Sequence, residues 1–260
     1  MKTHGQITIF VIVAISLIVI SLLFILFKTD ISSSEIGTGQ DLNVNSFLQQ
    51  CMEEKVEKTI NTLMAQGGYI ENQLHIEFEF EGEPFTNISY LCYNEESYLP
   101  CINQEPVLMK HLKDEIHTEI NQEVENCFKY FIDNLKKSGK TSKSKYNGFE
   151  IQIVPEKIII IMAAEIKIEK AGESISQSKM GMIYPTKFHE LASIVREIVG
   201  QEAQYCSFEH IGYALLYPEF NIDRFRTSSL STIYTVENKQ SKERFRFAIK
   251  SCTIPPGLTE

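Results

Sequence analysis

Six cysteines are the residues whose chemistry follows most directly from this sequence of 260 residues. None belongs to a Cys-x-x-Cys pair, and all of them follow an apolar N-terminal segment. An even number of cysteines without zinc-site spacing favours disulfide bonds, which form in oxidising compartments outside the cytoplasm. The candidate disulfide residues are Cys51, Cys92, Cys101, Cys127, Cys206 and Cys252.

The pairing of these cysteines is open at this level, because six cysteines allow fifteen connectivities. Cys92 and Cys101 are close in the chain and would close a small loop at the end of a hairpin. Cys51 and Cys127 lie on apolar faces of predicted helices, so they either join those helices or remain free as small buried side chains. The candidate pairs are therefore Cys92–Cys101, Cys51–Cys127 and Cys206–Cys252.

No other group of residues has the spacing of a catalytic, cofactor or metal site. The run Gly139-Lys140-Thr141 lacks the earlier glycine and the preceding strand of a phosphate-binding loop. His111 and Glu115 form the most metal-like pair, but a hydrogen bond or ion pair at the surface is the commoner role of such a pair. We therefore predict no catalytic residues, no cofactor and no metal ion, and we expect a protein that is not an enzyme.

One covalent modification is suggested by the tripeptide Asn87-Ile88-Ser89, which matches the N-glycosylation sequence and lies beside a predicted strand. Such tripeptides also occur by chance in chains of this length. Asn87 is accordingly a glycosylation candidate.

The charge of the chain restricts its partners. With 25 basic and 34 acidic residues, the formal net charge is −9. Nucleic acids and anionic lipid surfaces bind clustered basic residues, so this balance disfavours both as the main partner. We therefore predict that the protein does not bind nucleic acid.

The elements that would carry these residues begin with an apolar segment from Ile7 to Phe27, which precedes every acidic residue. As a helix of roughly 31 Å it could cross a hydrocarbon core of about 30 Å. It is longer than the core of a cleaved secretory signal and no small-residue cleavage site follows it, so we predict a single transmembrane helix over 6–28. The lipid bilayer is then one partner, and Lys2 favours a cytoplasmic N-terminus with the remaining chain outside the cell.

The residues around this segment resemble a known leader. The sequence KTHGQITIF at 2–10 resembles archaeal type IV pilin-like proteins, in which a basic stub ending in glycine precedes glutamine and a hydrophobic helix. The resemblance implies cleavage by a prepilin-type peptidase between Gly5 and Gln6. That family commonly has Glu at the fifth mature position, where this chain has Phe10. The chain as a whole also resembles a group of archaeal membrane-anchored proteins without a known activity, through GQITIF and through QGGY at 66–69.

The chain after the membrane segment alternates helical and strand patterns in blocks. Apolar residues at three-and-four spacing predict helices, and alternating residues predict strands with one exposed face. Blocks of helices and strands favour an α+β fold with a mainly antiparallel sheet. The predicted elements are a helix over 44–64, strands over 74–80 and 88–93, a helix over 108–135, strands over 149–153, 158–168 and 174–184, a helix over 186–204, and strands over 231–236 and 244–250.

The same patterns predict a division into segments. A stub over 1–5 precedes the transmembrane helix, and a tether rich in Ser and Gly over 29–42 follows it. Further along, we predict a helix-hairpin-helix lobe over 43–138, a Lys/Ser-rich linker over 139–147, a sheet-rich lobe over 148–254 that contains the helix over 186–204, and a tail over 255–260.

These features together favour a membrane-anchored domain at the cell surface with a structural or partner-binding role. Its partner would be an unknown protein or another component of the cell envelope. Two alternatives stay open: a pilin-like filament subunit processed after Gly5, which would be a homo-oligomer, and an envelope enzyme with dispersed catalytic residues.

Overall fold

A computed structural model describes residues 44–96, 98–139, 141–170 and 173–252. The predicted transmembrane helix over 6–28, the tether over 29–42, the leader site Gly5-Gln6 and the tail over 255–260 lie outside these residues. Thirteen elements follow in chain order within the described part. They are α1 (Val44–Ala65), β1 (His75–Phe78), β2 (Thr86–Tyr93), β3 (Ile102–Asn103), α2 (Leu108–Lys137), β4 (Thr141–Val154), β5 (Lys157–Lys170), β6 (Glu173–Pro185), α3 (Phe188–Tyr205), α4 (His210–Leu216), β7 (Phe220–Arg226), β8 (Thr232–Asn238) and β9 (Arg244–Lys250).

The strands form two sheets. The larger sheet has the order β1-β2-β9-β8-β7, with β3 paired to β2, and the smaller sheet has the order β4-β5-β6. All pairs are antiparallel except β2 and β9, which run parallel with Tyr90 opposite Ala248 and Tyr93 opposite Lys250. The prediction of an α+β fold with a mainly antiparallel sheet is therefore confirmed.

The helices pack on the sheets through apolar faces that the sequence spacing sets. In α1, Leu48, Met52, Val56 and Ile60 recur every fourth residue and are all buried. Because residues four apart lie on one side of a helix, this face packs against α2, β6 and β9. Helix α3 covers the larger sheet, where it contacts β8 and β9. The main core is shared by α1, α2, α3 and both sheets, and a second, smaller cluster in the larger sheet consists of Ile88, Tyr90, Ile233 and Ala248.

Helix α1 also protects the edge of the smaller sheet. The side-chain oxygen of Asn45 accepts a hydrogen bond from the backbone N–H of Gly181 at 3.1 Å, and that of Gln49 accepts one from Ile183 at 3.2 Å. Both N–H groups belong to the edge strand β6, so two donors that could pair with another chain are already satisfied.

The predicted fold class requires one correction, which concerns the transmembrane helix placed before the α+β domain. No helix in the described ranges combines the length and the apolar character that crossing a bilayer demands. Helix α2 is long, but it has two ion pairs on its exposed side, Lys110 with Asp114 and Lys129 with Glu125. Charged groups of this kind are costly to place in hydrocarbon.

The predicted linker over 139–147 also differs from the structure. Residues 141–147 belong to β4, which pairs with β5 from Thr141 opposite Glu169 to Val154 opposite Lys157. The described residues of both predicted lobes belong to one compact unit. A run of lysines and serines resembles a solvated linker in composition, but an edge strand with exposed side chains has the same composition.

Candidate interaction surface

Three disulfide bonds connect the six cysteines in the pairs favoured by the sequence. Cys51 and Cys127 join α1 to α2, with their Cα atoms 6.0 Å apart. The free, buried alternative for this pair is therefore not observed. The other two bonds are Cys92–Cys101, with a Cα separation of 5.3 Å, and Cys206–Cys252, with a separation of 5.5 Å.

The bond between Cys51 and Cys127 also explains a group of residues that resembles a metal site. One carboxylate oxygen of Glu123 and the two sulfur atoms all lie within 4.8 Å of one another. Since a metal binds thiolates and these two sulfurs are bonded to each other, neither is available as a thiolate ligand. The grouping is a consequence of the disulfide between α1 and α2.

The bond between Cys92 and Cys101 closes a short loop between β2 and β3, here called the stapled loop (residues 92–101). Hydrogen bonds inside it fix its shape: Asn94 donates from its side chain to the carbonyl of Pro100 at 2.9 Å and accepts from the N–H of Glu96 at 3.0 Å. The backbone N–H of Asn94 donates to the carbonyl of Lys250 at 2.9 Å, which ties the loop to the end of β9. These bonds restrain the described residues of the loop, 92–96 and 98–101, before any partner binds.

The stapled loop and the strand after it expose apolar side chains. Tyr98 is 72% exposed and Ile102 is 68% exposed, and Leu99 and Val107 are also exposed. Exposed apolar groups lose contact with water when a partner covers them, which makes such groups the usual centre of a protein interface. This segment is our candidate interaction surface.

Acidic residues flank the apolar side chains of this surface. Glu95 and Glu96 are both exposed, and neither forms an ion pair with any residue that the structure describes. Two unpaired carboxylates beside an apolar patch repel anionic surfaces and attract cationic ones. The surface therefore favours an apolar partner site bordered by Lys or Arg.

The Gly-Gly turn after α1 accounts for the histidine and glutamate that resembled a metal pair. Gly67 and Gly68 have positive φ angles of 74° and 89°, which glycine adopts without strain. His111 Nε2 donates to the carbonyl oxygen of Gly68 at 2.9 Å, and a carboxylate oxygen of Glu115 accepts from the N–H of Ile70 at 3.0 Å. His111 and Glu115 thus bind the backbone of this turn from α2 and hold it in place.

Tyr69 completes this cluster. Its ring lies against the His111 ring with centroids 4.3 Å apart, and its hydroxyl donates a hydrogen bond to Glu105. Burial, followed by the hydrogen bond to Glu105, raises the pKa of Tyr69 far above its ordinary value. The hydroxyl of Tyr69 thus acts as a donor that connects the turn to the chain before α2.

The glycosylation candidate Asn87 lies in β2 and its side chain is exposed. It borders a polar cavity of about 490 Å³ that is also lined by Gln66, Asn72, Gln73 and His75. An exposed asparagine is accessible to a glycosyltransferase, whereas a buried one is not. Its modification stays a prediction.

The candidate interaction surface was missed by sequence reasoning, although a signal for it was present. Tyr98, Leu99 and Ile102 are apolar residues inside or directly beside a loop that the cysteine spacing had already placed. A short loop closed by a disulfide has no interior in which to bury such side chains. Their exposure could therefore have been inferred from their position between Cys92 and the helix that begins near Leu108.

Comparison of the chain with known proteins found no family model, curated protein or solved structure that matches it.

Proposed function

We propose that the described domain works outside the cytoplasm as a non-catalytic domain that binds a protein partner. The location is supported by three disulfide bonds that use all six cysteines, because such bonds persist in oxidising compartments. The binding role is supported by the stapled loop, which presents apolar and acidic side chains on a fixed backbone.

The single observation that carries the binding role is the exposure of Tyr98 and Ile102 beside a disulfide. Burying a large apolar side chain at an interface stabilises a complex by about 1.5–3 kcal/mol. A loop that is already ordered loses little conformational entropy on binding, so most of this gain remains as affinity. Exposure on a rigid loop is thus more typical of a recognition surface than the same exposure on a mobile one.

The proposal can be tested by placing a photo-crosslinking amino acid at position 98 of the full chain in the cells that make it. We expect one dominant protein adduct, joined to a peptide that contains apolar residues and Lys or Arg. The matched control is position 85, because Phe85 is 74% exposed but lies outside the stapled loop. Position 85 should not form that adduct.

A charge reversal of the loop then tests the chemistry of the partner. Replacing Glu95→Lys and Glu96→Lys should reduce the adduct at position 98 at least several-fold, because two attractions to a basic border become repulsions. Equal adducts at positions 85 and 98, or an adduct indifferent to charge reversal, would count against recognition by this loop.

A further inference from the structure

The short helix α4 has an unusual surface for a folded domain. Leu215 is 79% exposed and Leu216 is 76% exposed, and Ile211 on the preceding turn is exposed as well. None of the seven residues of α4 is buried. Three large aliphatic side chains therefore point into solvent from one short helix, in contrast to the amphipathic helices α1, α2 and α3.

This exposure belongs to an ordered helix. The carboxylate of Glu209 accepts hydrogen bonds from the N–H groups of Ile211 and Gly212 at 3.2 and 3.3 Å, which caps the N-terminus of α4. Phe208 before the helix and Phe220 after it are both buried in the core. The helix is thus anchored at both ends while its aliphatic side chains face outward.

The segment that contains α4 has no acidic or basic side chain apart from His210, and tyrosines lie at its end. Between Glu209 and Glu219 the chain contains no acidic residue, lysine or arginine. Tyr217 directly follows Leu216 and is exposed, and its ring packs against Tyr213 with ring centroids 4.6 Å apart. Tyrosines at the border of an aliphatic patch are typical of surfaces that lie at the boundary between lipid and water.

A second copy of this chain and a lipid membrane are the two candidate occupants of this surface, and they differ in the contact area and the charge that they require. A stable dimer buries about 800 Å² on each partner, and a helix of seven residues is only about 10 Å long. Two copies of this chain would also repel each other, since each has a net charge of −9. A lipid interface needs no matching surface and accepts individual aliphatic side chains.

We propose that α4 inserts the side chains of Ile211, Leu215 and Leu216 into the interface of a membrane built from uncharged or zwitterionic lipid. Tyr217 then lies at the level of the headgroups, where its ring contacts hydrocarbon and its hydroxyl contacts water. The acidic balance of the chain disfavours an anionic lipid surface, so this contact depends on apolar insertion rather than on charge.

The chain contains no tryptophan, so a single introduced tryptophan reports on its own surroundings. Leu215→Trp in the full chain is mixed with phosphatidylcholine vesicles, with and without brominated acyl chains. We expect a blue-shifted emission and quenching by the brominated lipid at least threefold stronger than for a control, Tyr130→Trp. Tyr130 is also exposed but lies on α2 between the charged residues Lys129 and Asp133.

Several results would overturn this inference. Equal quenching of Leu215→Trp and Tyr130→Trp would exclude local insertion of α4, and Leu216→Trp repeats the test if the first variant does not fold. A blue shift without lipid that increases with protein concentration would indicate a second copy as the occupant. Stronger quenching in phosphatidylserine vesicles than in phosphatidylcholine would contradict the preference for uncharged or zwitterionic lipid.

Discussion

Arg246 shows at the residue scale how this domain accommodates a buried charge. Its guanidinium donates two hydrogen bonds to the carboxylate of Glu83, one of them at 2.9 Å, and lies 4.2 Å from the centre of the Phe80 ring. Arg244 adds a further bond to Glu83 at 3.2 Å. The hydrogen bond from Arg246 is the main reason that the pKa of Glu83 falls to about 2.

The first prediction concerns Glu83→Gln and its dependence on pH. A carboxyl group with a lowered pKa in the folded state stabilises the fold above its unfolded pKa, and this contribution is lost as the pH falls towards 2. Because Glu83 is partly exposed, we expect the substitution to lower the free energy of unfolding by about 1–2 kcal/mol at pH 7. At pH 2, near the folded pKa of Glu83, most of this difference should be lost, and it should disappear below that pH.

Urea denaturation across this pH range measures the effect, and Glu81→Gln is the control because Glu81 is exposed and forms no ion pair in the part of the chain that is described. A cost for Glu83→Gln that persists unchanged at pH 2 would contradict the assigned role of the carboxylate.

The second prediction compares two glycines. A Cβ at Gly181 would lie 2.0 Å from the carbonyl oxygen of Ile160, whereas a Cβ at Gly200 in α3 meets no atom within 4 Å. Gly181→Ala should therefore destabilise the fold by about 3 kcal/mol or more, because the backbone of β5 or β6 must move. Gly200→Ala should stabilise it by about 0.5–1 kcal/mol, because alanine is the better helix former.

Thermal unfolding of both variants tests this comparison. Similar melting temperatures for the two would show that the backbones at Gly181 and Ile160 are not as close as described.

At the scale of the elements, the third prediction ranks the disulfide bonds. The entropy that a bond removes from the unfolded chain increases with the loop that it closes. The sequence separations are 76 residues for Cys51–Cys127, 46 for Cys206–Cys252 and 9 for Cys92–Cys101. Replacing each pair by alanine should cost about 4.5, 4 and 2.6 kcal/mol in that order.

Chemical denaturation of the three paired variants measures this order. The largest loss for the shortest loop would contradict this order and would show that the buried packing of Cys92 and Cys101 outweighs loop entropy.

The elements that the sequence predicted well are those with long, regular patterns. The helix expected over 44–64 is α1 (Val44–Ala65), and that expected over 108–135 is α2 (Leu108–Lys137). In both, apolar residues repeat over several turns, so local spacing and final burial agree. The expected bounds were least accurate at β4. Its first half contains the exposed residues Lys143, Ser144 and Lys145, which lack the alternating apolar pattern that predicts a strand.

Other elements could not be read from local patterns. Helix α4 is short and its aliphatic side chains are exposed, so it has no apolar face turned inward. In β7, Phe220 and Ile222 are buried but the residues from Asp223 onward are exposed, which interrupts the alternation of a strand. The parallel pairing of β2 with β9 joins segments about 157 residues apart, and no short-range signal indicates such a contact.

At the scale of the whole molecule, this long-range pairing determines where two disulfides lie. Cys92 is opposite Ile249 in the sheet, and Cys252 follows three residues later. The bonds Cys92–Cys101 and Cys206–Cys252 therefore both fasten the end of the larger sheet where β2 and β9 finish. The stapled loop is attached to this fastened end, which gives the proposed recognition surface a rigid base.

The central claim is that the domain works in oxidised form outside the cytoplasm. Its most direct test is to block free thiols in intact cells with a membrane-permeant alkylating agent, digest the protein without reduction and analyse the peptides by mass spectrometry. We predict no alkylated cysteine and three linked peptide pairs, Cys51–Cys127, Cys92–Cys101 and Cys206–Cys252. Alkylation of all six cysteines would contradict the claim.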